Sequence, residues 1–490
     1  MKTTLALALA AALASPLGAH ATVRLPALVG DHMVLQRNAP VPVWGWAAPG
    51  EQVTVTFRGQ RYPATPAASG RWQVALPVMP AGGPYSLTVQ GQNTLTVQDI
   101  LVGDVWLASG QSNMELPLRD PNAPRPGAYP LPLNAEQEVA AATFPQIRQF
   151  TVKKAVAYQP QTENEGTSWQ VCSPATAGRF SAVGYFFARD LYQRYQVPIG
   201  LISSPWGGTP AEAWVSPEAL GQLPDFKAQV AALAPPAAPA KDAQNTPTVL
   251  YNGMIAPLLP YALKGVIWYQ GESNVGRAAQ YRTLFPALIR DWRQRFGQPE
   301  LPFLFVQLAN FTKEAPLPAE SDWAELREAQ AQALALPRTG MAVAIDLGEG
   351  ADIHPANKQD VGHRLALVAR QVAYGDKQVV AAGPTFQRMQ VAGGQVRVTF
   401  AHASAGLQLR TGTTTLSGFA VAGADHQFHW ATGTLVGAEV VLTCAAVPAP
   451  VAVRYDWANN PTGNLYNREG LPAAPFRTDQ WVAGTGTGQP

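Results

Sequence analysis

The sequence predicts an α/β fold, a parallel sheet with crossover helices, flanked on both sides by β-rich segments. Three observations carry that expectation. Between residues 100 and 375 the chain holds continuous apolar runs, at 100–108, 198–202, 265–269, 303–308 and 341–345. Runs of this kind suit strands covered on both faces. Helix-like stretches separate them, at 181–195, 281–296, 323–336 and 358–374, and this alternation implies crossover helices. Outside that region the runs are short and alternating, punctuated by many of the 44 prolines and 43 glycines.

Taken in order, residues 1–21 read as a secretory signal. Lys2 is followed by an apolar stretch at 5–17 and by Ala19-His20-Ala21, a small-residue cleavage site. The mature chain would then begin at Thr22 and work in the periplasm or outside the cell. No later run approaches the roughly 20 apolar residues of a membrane span. Residues 22–99 form a small antiparallel β domain by their alternation at 41–46, 52–57 and 85–89. Residues 100–375 form the α/β domain, interrupted by two Pro- and Ala-rich stretches, 117–134 and 221–248, read as surface excursions or helical insertions. Residues 376–490 return to β texture, as at 395–400, 440–443 and 451–455.

Composition narrows the function. A chain of 490 residues with 47% apolar content can bury a large core. Thirty-five basic against 33 acidic residues, a net charge of +2, favour neither nucleic acid nor an anionic membrane as partner. Thirteen tryptophans and 14 tyrosines supply flat faces on which sugar rings can stack. Cys172 and Cys444 are too few for a disulfide framework, and two buried thiols are the favoured reading over one bridge. There is no HExxH motif or clustered histidine set, so no metal or other cofactor is expected.

The chemistry starts at Gly110-Gln111-Ser112-Asn113-Met114, a glycine-assisted turn after a strongly apolar strand. Open α/β sheets place their ligand crevice at the carboxyl ends of strands. A serine hydroxyl there needs a base. Of seven histidines, only His354 and His363 fall in the α/β region. His354 has the better context, in a loop beside Asp352, which could orient the ring and stabilise the imidazolium. Donors for an oxyanion are offered by Gly207-Gly208 and by the side chain of Gln270. The set suggests a serine esterase.

These motifs, with Trp206-Gly207-Gly208-Thr209, Trp268-Tyr269-Gln270-Gly271-Glu272-Ser273-Asn274, Asp352-Ile353-His354-Pro355-Ala356-Asn357-Lys358-Gln359 and the opening Asp31-His32-Met33-Val34-Leu35-Gln36, resemble the sialate O-acetylesterase family, carbohydrate esterases among the SGNH hydrolases. The resemblance spans nearly the whole mature chain. It implies a flavodoxin-like three-layer α/β/α core, Ser112 as nucleophile, His354 as base, and an oxyanion hole from the Ser112 amide, a glycine amide such as Gly208, and Gln270. It also implies removal of acetyl groups from sugars without a metal. Trp206 and Trp268 are the candidates for contact with the sugar, with Asn113 and Glu272 in support. One departure stands out. SGNH enzymes carry the acid three residues before the histidine, where this chain has Ala351; Asp352 is two before it, which leaves Glu272 as the other candidate for the acid. Ser273, in a turn that echoes the first, is a weaker nucleophile candidate. The competing enzyme class is a glycoside hydrolase pairing Glu272 with Glu115 or Glu212 in a cleft lined by Trp206, Trp214 and Trp268. A carbohydrate-binding protein with an inert core is a third reading. The substrate stays open between acetylated sialic acid and plant glycans such as xylan or xyloglucan.

Overall fold

The computed structural model describes residues 22–119, 130–165, 167–237 and 240–481. The expected signal segment, 1–21, lies outside them, as does most of the first insertion. In chain order, the elements that frame the site are β1 (Val34–Gln36), β2 (Val53–Phe57), β3 (Gly82–Gln90), β4 (Thr94–Gly110), α1 (Ser112–Glu115), β5 (Phe144–Thr151), β6 (Gln170–Cys172), α2 (Ala182–Tyr195), β7 (Ile199–Pro205), β8 (Gly265–Tyr269), α3 (Ala278–Arg295), β9 (Phe303–Gln307), α4 (Asp322–Gln332), β10 (Thr339–Val343) and α5 (Lys358–Val372).

The central sheet runs in the order β10-β9-β8-β4-β7-β5-β6. Every pairing from β10 to β5 is parallel, and only β6 joins antiparallel. Strand β4 is the switch point. After it the chain builds one side of the sheet through β5 and β7, then crosses to build the other through β8, β9 and β10. The loops that leave β4, β7 and β8 therefore diverge above three adjacent strands, the place where such sheets open a crevice.

Apolar residues on these strands face both ways. Trp106 on β4 packs edge-on against Phe187 of α2, whereas Trp268 on β8 packs against Phe285 and Trp292 of α3. A strand buried on both faces keeps no solvent side, which is why its sequence reads as a continuous apolar run. Helices α2 and α5 cover one face and α3 with α4 the other. The helices of the first layer approach closely because α5 carries Gly362, where a Cβ would lie 2.6 Å from that of Phe186. Ser181 caps α2 by accepting from the Gly184 amide at 3.1 Å, and its hydroxyl donates to the Met114 carbonyl at 2.6 Å. The cap thus also anchors α1, the short helix that Ser112 opens.

Strand β4 does not respect the boundary expected at residue 99. Its first half pairs antiparallel with β3 and its second half parallel with β7 and β8. Buried residues from Val23 to Ala381 form one contiguous core. The C-terminal segment has a core of its own, built from residues such as Val398, Phe419, Leu442 and Tyr455 between two four-stranded sheets. Both cysteines are free; Cys172 is buried and Cys444 partly exposed.

Candidate active site

Gly110 ends β4 at a φ of +132°, and a Cβ there would lie 2.1 Å from the Tyr269 carbonyl oxygen on β8. Only glycine fits so near a neighbouring strand in that conformation. The backbone turns, and Gln111 locks the turn from its side chain. Its Oε1 accepts from the amides of Gly271 and Ser273 at 3.4 and 3.3 Å. Ser112 follows at the first position of α1, where helical amides lack intrahelical partners.

Two hundred and forty-two positions away in sequence, His354 Nε2 stands 3.0 Å from Ser112 Oγ. Asp352 holds the ring from the other side. Its Oδ1 lies 3.0 Å from His354 Nδ1 and also accepts the His354 backbone amide at 2.8 Å. A separation of two residues lets a single carboxylate oxygen reach both groups, so the loop folds on its own acid. Glu272 takes a different place. Its Oε1 accepts from Asn113 Nδ2 at 2.6 Å, and its Oε2 is buried with no hydrogen-bond partner among the described residues.

Electrostatics favours an imidazole that is neutral in the resting site. Burial is the largest influence on His354 and lowers its pKa from 6.5; the charge on Lys358 lowers it further, and Asp352 opposes both. Lys358 is itself buried, and burial pushes its ammonium down to about 7 against the opposing pull of Glu272, Asp352 and Glu349. Burial raises the Glu272 carboxyl.

The loop after β7 completes the cleft. A Cβ on Gly207 would come within 3.2 Å of Ser112 Cβ, so this glycine packs directly on the serine. Its amide donates to Glu115 at 2.5 Å, and Glu115 also pairs with Lys154. Gly208 follows at a φ of +75° with open space around its Cβ position. Trp206 is half-buried, with the Lys154 ammonium 5.3 Å from its ring centre.

A serine, an imidazole and a carboxylate in hydrogen-bond sequence, at the carboxyl edge of a parallel sheet and beside a glycine loop, is an arrangement suited to acyl transfer. A family model for carbohydrate esterases, the sialic acid-specific acetylesterases, matches residues 102–371, more than half of the chain. The chain belongs to that family. It is 33% identical to human sialate O-acetylesterase over 502 residues, covering 92% of each, and 36% identical to the sialate O-acetylesterase of Pongo abelii over 406 residues, covering 75% of this chain and 74% of that protein. The crystal structure of a carbohydrate acetylesterase from Xanthomonas citri superposes with a TM-score of 0.85 at 47% identity, covering 94% of this chain and 100% of that one. The protein is therefore a carbohydrate O-acetylesterase on an SGNH-type α/β core, in agreement with the fold class expected from its sequence.

Several residues of this esterase lie elsewhere than the sequence suggested. Trp268, expected against the sugar, is fully buried on α3, because alternate residues of a doubly covered strand point into opposite layers and neither layer is solvent. Trp214 is fully buried too. Gln270, expected to donate to the oxyanion, has both amide hydrogens committed, to the Thr209 carbonyl at 3.2 Å and to Asn274 Oδ1 at 2.6 Å; it braces the glycine loop from beneath. Glu272 bonds Asn113 rather than the histidine, and Glu212, one of its expected glycosidase partners, is engaged by Asn274 and Arg277. His363 pairs with Asp190 on the outer surface of the helices. Ser273 sits with its amide on Gln111. The sequence reading gave no role to Lys358 or Lys154. For Lys358 a signal was present: a cation at the first position of a helix opposes the helix dipole, so it needs a specific partner.

Proposed function

We propose that the chain is an exported serine esterase that removes O-acetyl groups from sugars through an acetyl-serine intermediate. The observation that carries this reading is the 3.0 Å approach of Ser112 Oγ to His354 Nε2, with Asp352 on the far nitrogen. Ser112 attacks the acetyl carbonyl as His354 accepts its proton, and the oxyanion lies against the amides of Ser112 and Gly208. Collapse breaks the ester bond, and the sugar oxygen leaves with the proton from His354. Water then attacks the acetyl-enzyme with His354 again as base; acetate departs and the serine hydroxyl is restored. Trp206, half-buried and next to the glycine that packs on Ser112, offers a face for a sugar ring. Export rests on the signal-like residues 1–21.

Acetylated sialic acid is the first substrate to test, a choice supported by the family description and the curated relatives. Acetate release across a panel of O-acetylated sialosides, acetylated xylan and acetylated xyloglucan tests this. Fastest kcat/KM on a sialoside is expected; preference for a plant polysaccharide would move the substrate while leaving the reaction in place. A serine-directed organophosphorus reagent should block turnover of every substrate in the panel, and EDTA should block none. Resistance to that reagent would reject the serine mechanism.

A further inference from the structure

Beneath the Ser112 turn lies a polar group that the proposed reaction does not use. Lys358 opens α5 with only 2% of its surface exposed. Its ammonium donates to Asn113 Oδ1 and stands 5.8 Å from the centre of the Tyr269 ring. The other end of the same amide donates twice, to Glu272 Oε1 at 2.6 Å and to the Ile353 carbonyl at 3.1 Å. A single asparagine thereby ties together the serine turn, the residue before His354, the turn after β8 and the start of α5. The cation fixes which way that amide faces, because an ammonium can only donate and a carboxylate only accept.

A buried lysine without purpose is costly. Here the cost is offset by the hydrogen bond to Asn113 Oδ1 and by the nearby carboxylates of Glu272, Asp352 and Glu349, and that bond ties the lysine to the catalytic loops. We propose that Lys358 is a positioning residue: its ammonium holds the Asn113 amide in the one orientation that also bonds Glu272 and the Ile353 carbonyl, and so locks the serine turn to the histidine loop. Its charge also favours the neutral imidazole at His354, in addition to the larger effect of burial. This rests on the reading of Ser112 and His354 given above. Among the groups that face His354 are Asp352, Ser112 and Lys358; among those that face Lys358 are Asn113, the Tyr269 ring, Glu272, Asp352 and Glu349. Asp352 pulls a proton onto the imidazole and Lys358 pushes it off. Burial is the largest influence, and with Lys358 it outweighs Asp352.

The test is the pH profile of Lys358→Met, which keeps most of the unbranched apolar stem and removes the charge and the donor. With a chromogenic acetyl ester, the acid limb of kcat/KM should move up by about one pH unit, with kcat lowered several-fold and KM little changed. A folded Lys358→Met enzyme whose profile superimposes on that of the parent overturns the proposal. A readout that needs no variant at position 358 is the NMR titration of His354 in the parent protein, assigned by loss of its signal in His354→Gln. The expected curve has its main midpoint below 6.5 and a second inflection near 7 as Lys358 loses its proton; a single midpoint at or above 6.5 overturns the proposal. Failure of the site itself would be seen separately, as full activity in Ser112→Ala.

Discussion

Three side chains, Ser112, His354 and Asp352, carry the chemistry. Ser112→Ala should lower kcat by at least ~10³-fold, as removal of an activated nucleophile does, and Asp352→Asn by roughly 10³-fold or more, because the ring loses its orienting acceptor. Both are read by steady-state turnover of an acetyl ester; a mild effect of the second would return the acid role to Glu272. The pH dependence has a definite sign. The base works when neutral, and burial together with Lys358 holds its folded pKa below 6.5. Activity should thus persist at pH 6.5 and fall only as pH drops further, on the acid side of an ordinary histidine. Most of this was legible in the sequence, because few histidines were available and the turn around Ser112 followed an apolar strand. What was not legible concerns direction. Nothing in Trp268-Tyr269-Gln270 says that the indole faces α3 or that the amide of Gln270 is spent on Thr209 and Asn274.

At the scale of elements, the site depends on strands brought so close that side chains are excluded. Gly110→Ala would force a Cβ to within 2.1 Å of the Tyr269 carbonyl, at a φ that alanine resists. The expected loss is about 3 kcal/mol or more in urea unfolding, with activity falling along with it; a variant as stable as the parent would show that the turn at Ser112 is not held as described. The parallel strands and their helices followed from alternation of apolar runs with helix-length stretches. The length of β4 did not. The boundary expected at residue 99 falls inside it, where Asp99, at a φ of +54°, stays within the strand and its side chain bonds His32 and Arg148. Paired polar residues that satisfy each other across strands carry no mark in a single sequence.

At the scale of the whole molecule, the C-terminal β structure docks on the α/β core through buried polar groups. Arg327 is fully buried, and its guanidinium donates to the carbonyls of Leu308 and Ala309 on one side and of Ala458 and Asn459 on the other; burial pushes its pKa down to about 9. Nearby, burial pushes the Asp456 carboxyl up from 3.8 to about 7. Between those values the folded protein keeps a proton that the unfolded chain has released, so this carboxyl favours folding below pH 3.8 and the benefit is lost as pH rises towards 7. Asp456→Asn should therefore raise the melting temperature by ~2 °C or more at pH 8 and change it little at pH 4. Equal shifts at both pH values would contradict the assignment. The β texture of this region was readable, but its attachment was not, because an arginine that bonds only to carbonyls looks in sequence like any solvated arginine.

The central claim is that Ser112 Oγ carries the acetyl group between sugar and water. Acid-quenching a burst of acetyl-ester turnover and mapping the peptides by mass spectrometry tests it directly. The account predicts one acetyl group, on Ser112, absent from the His354→Ala enzyme; an acetyl group on Ser273 or another side chain, formed and released at the rate of turnover, would contradict it.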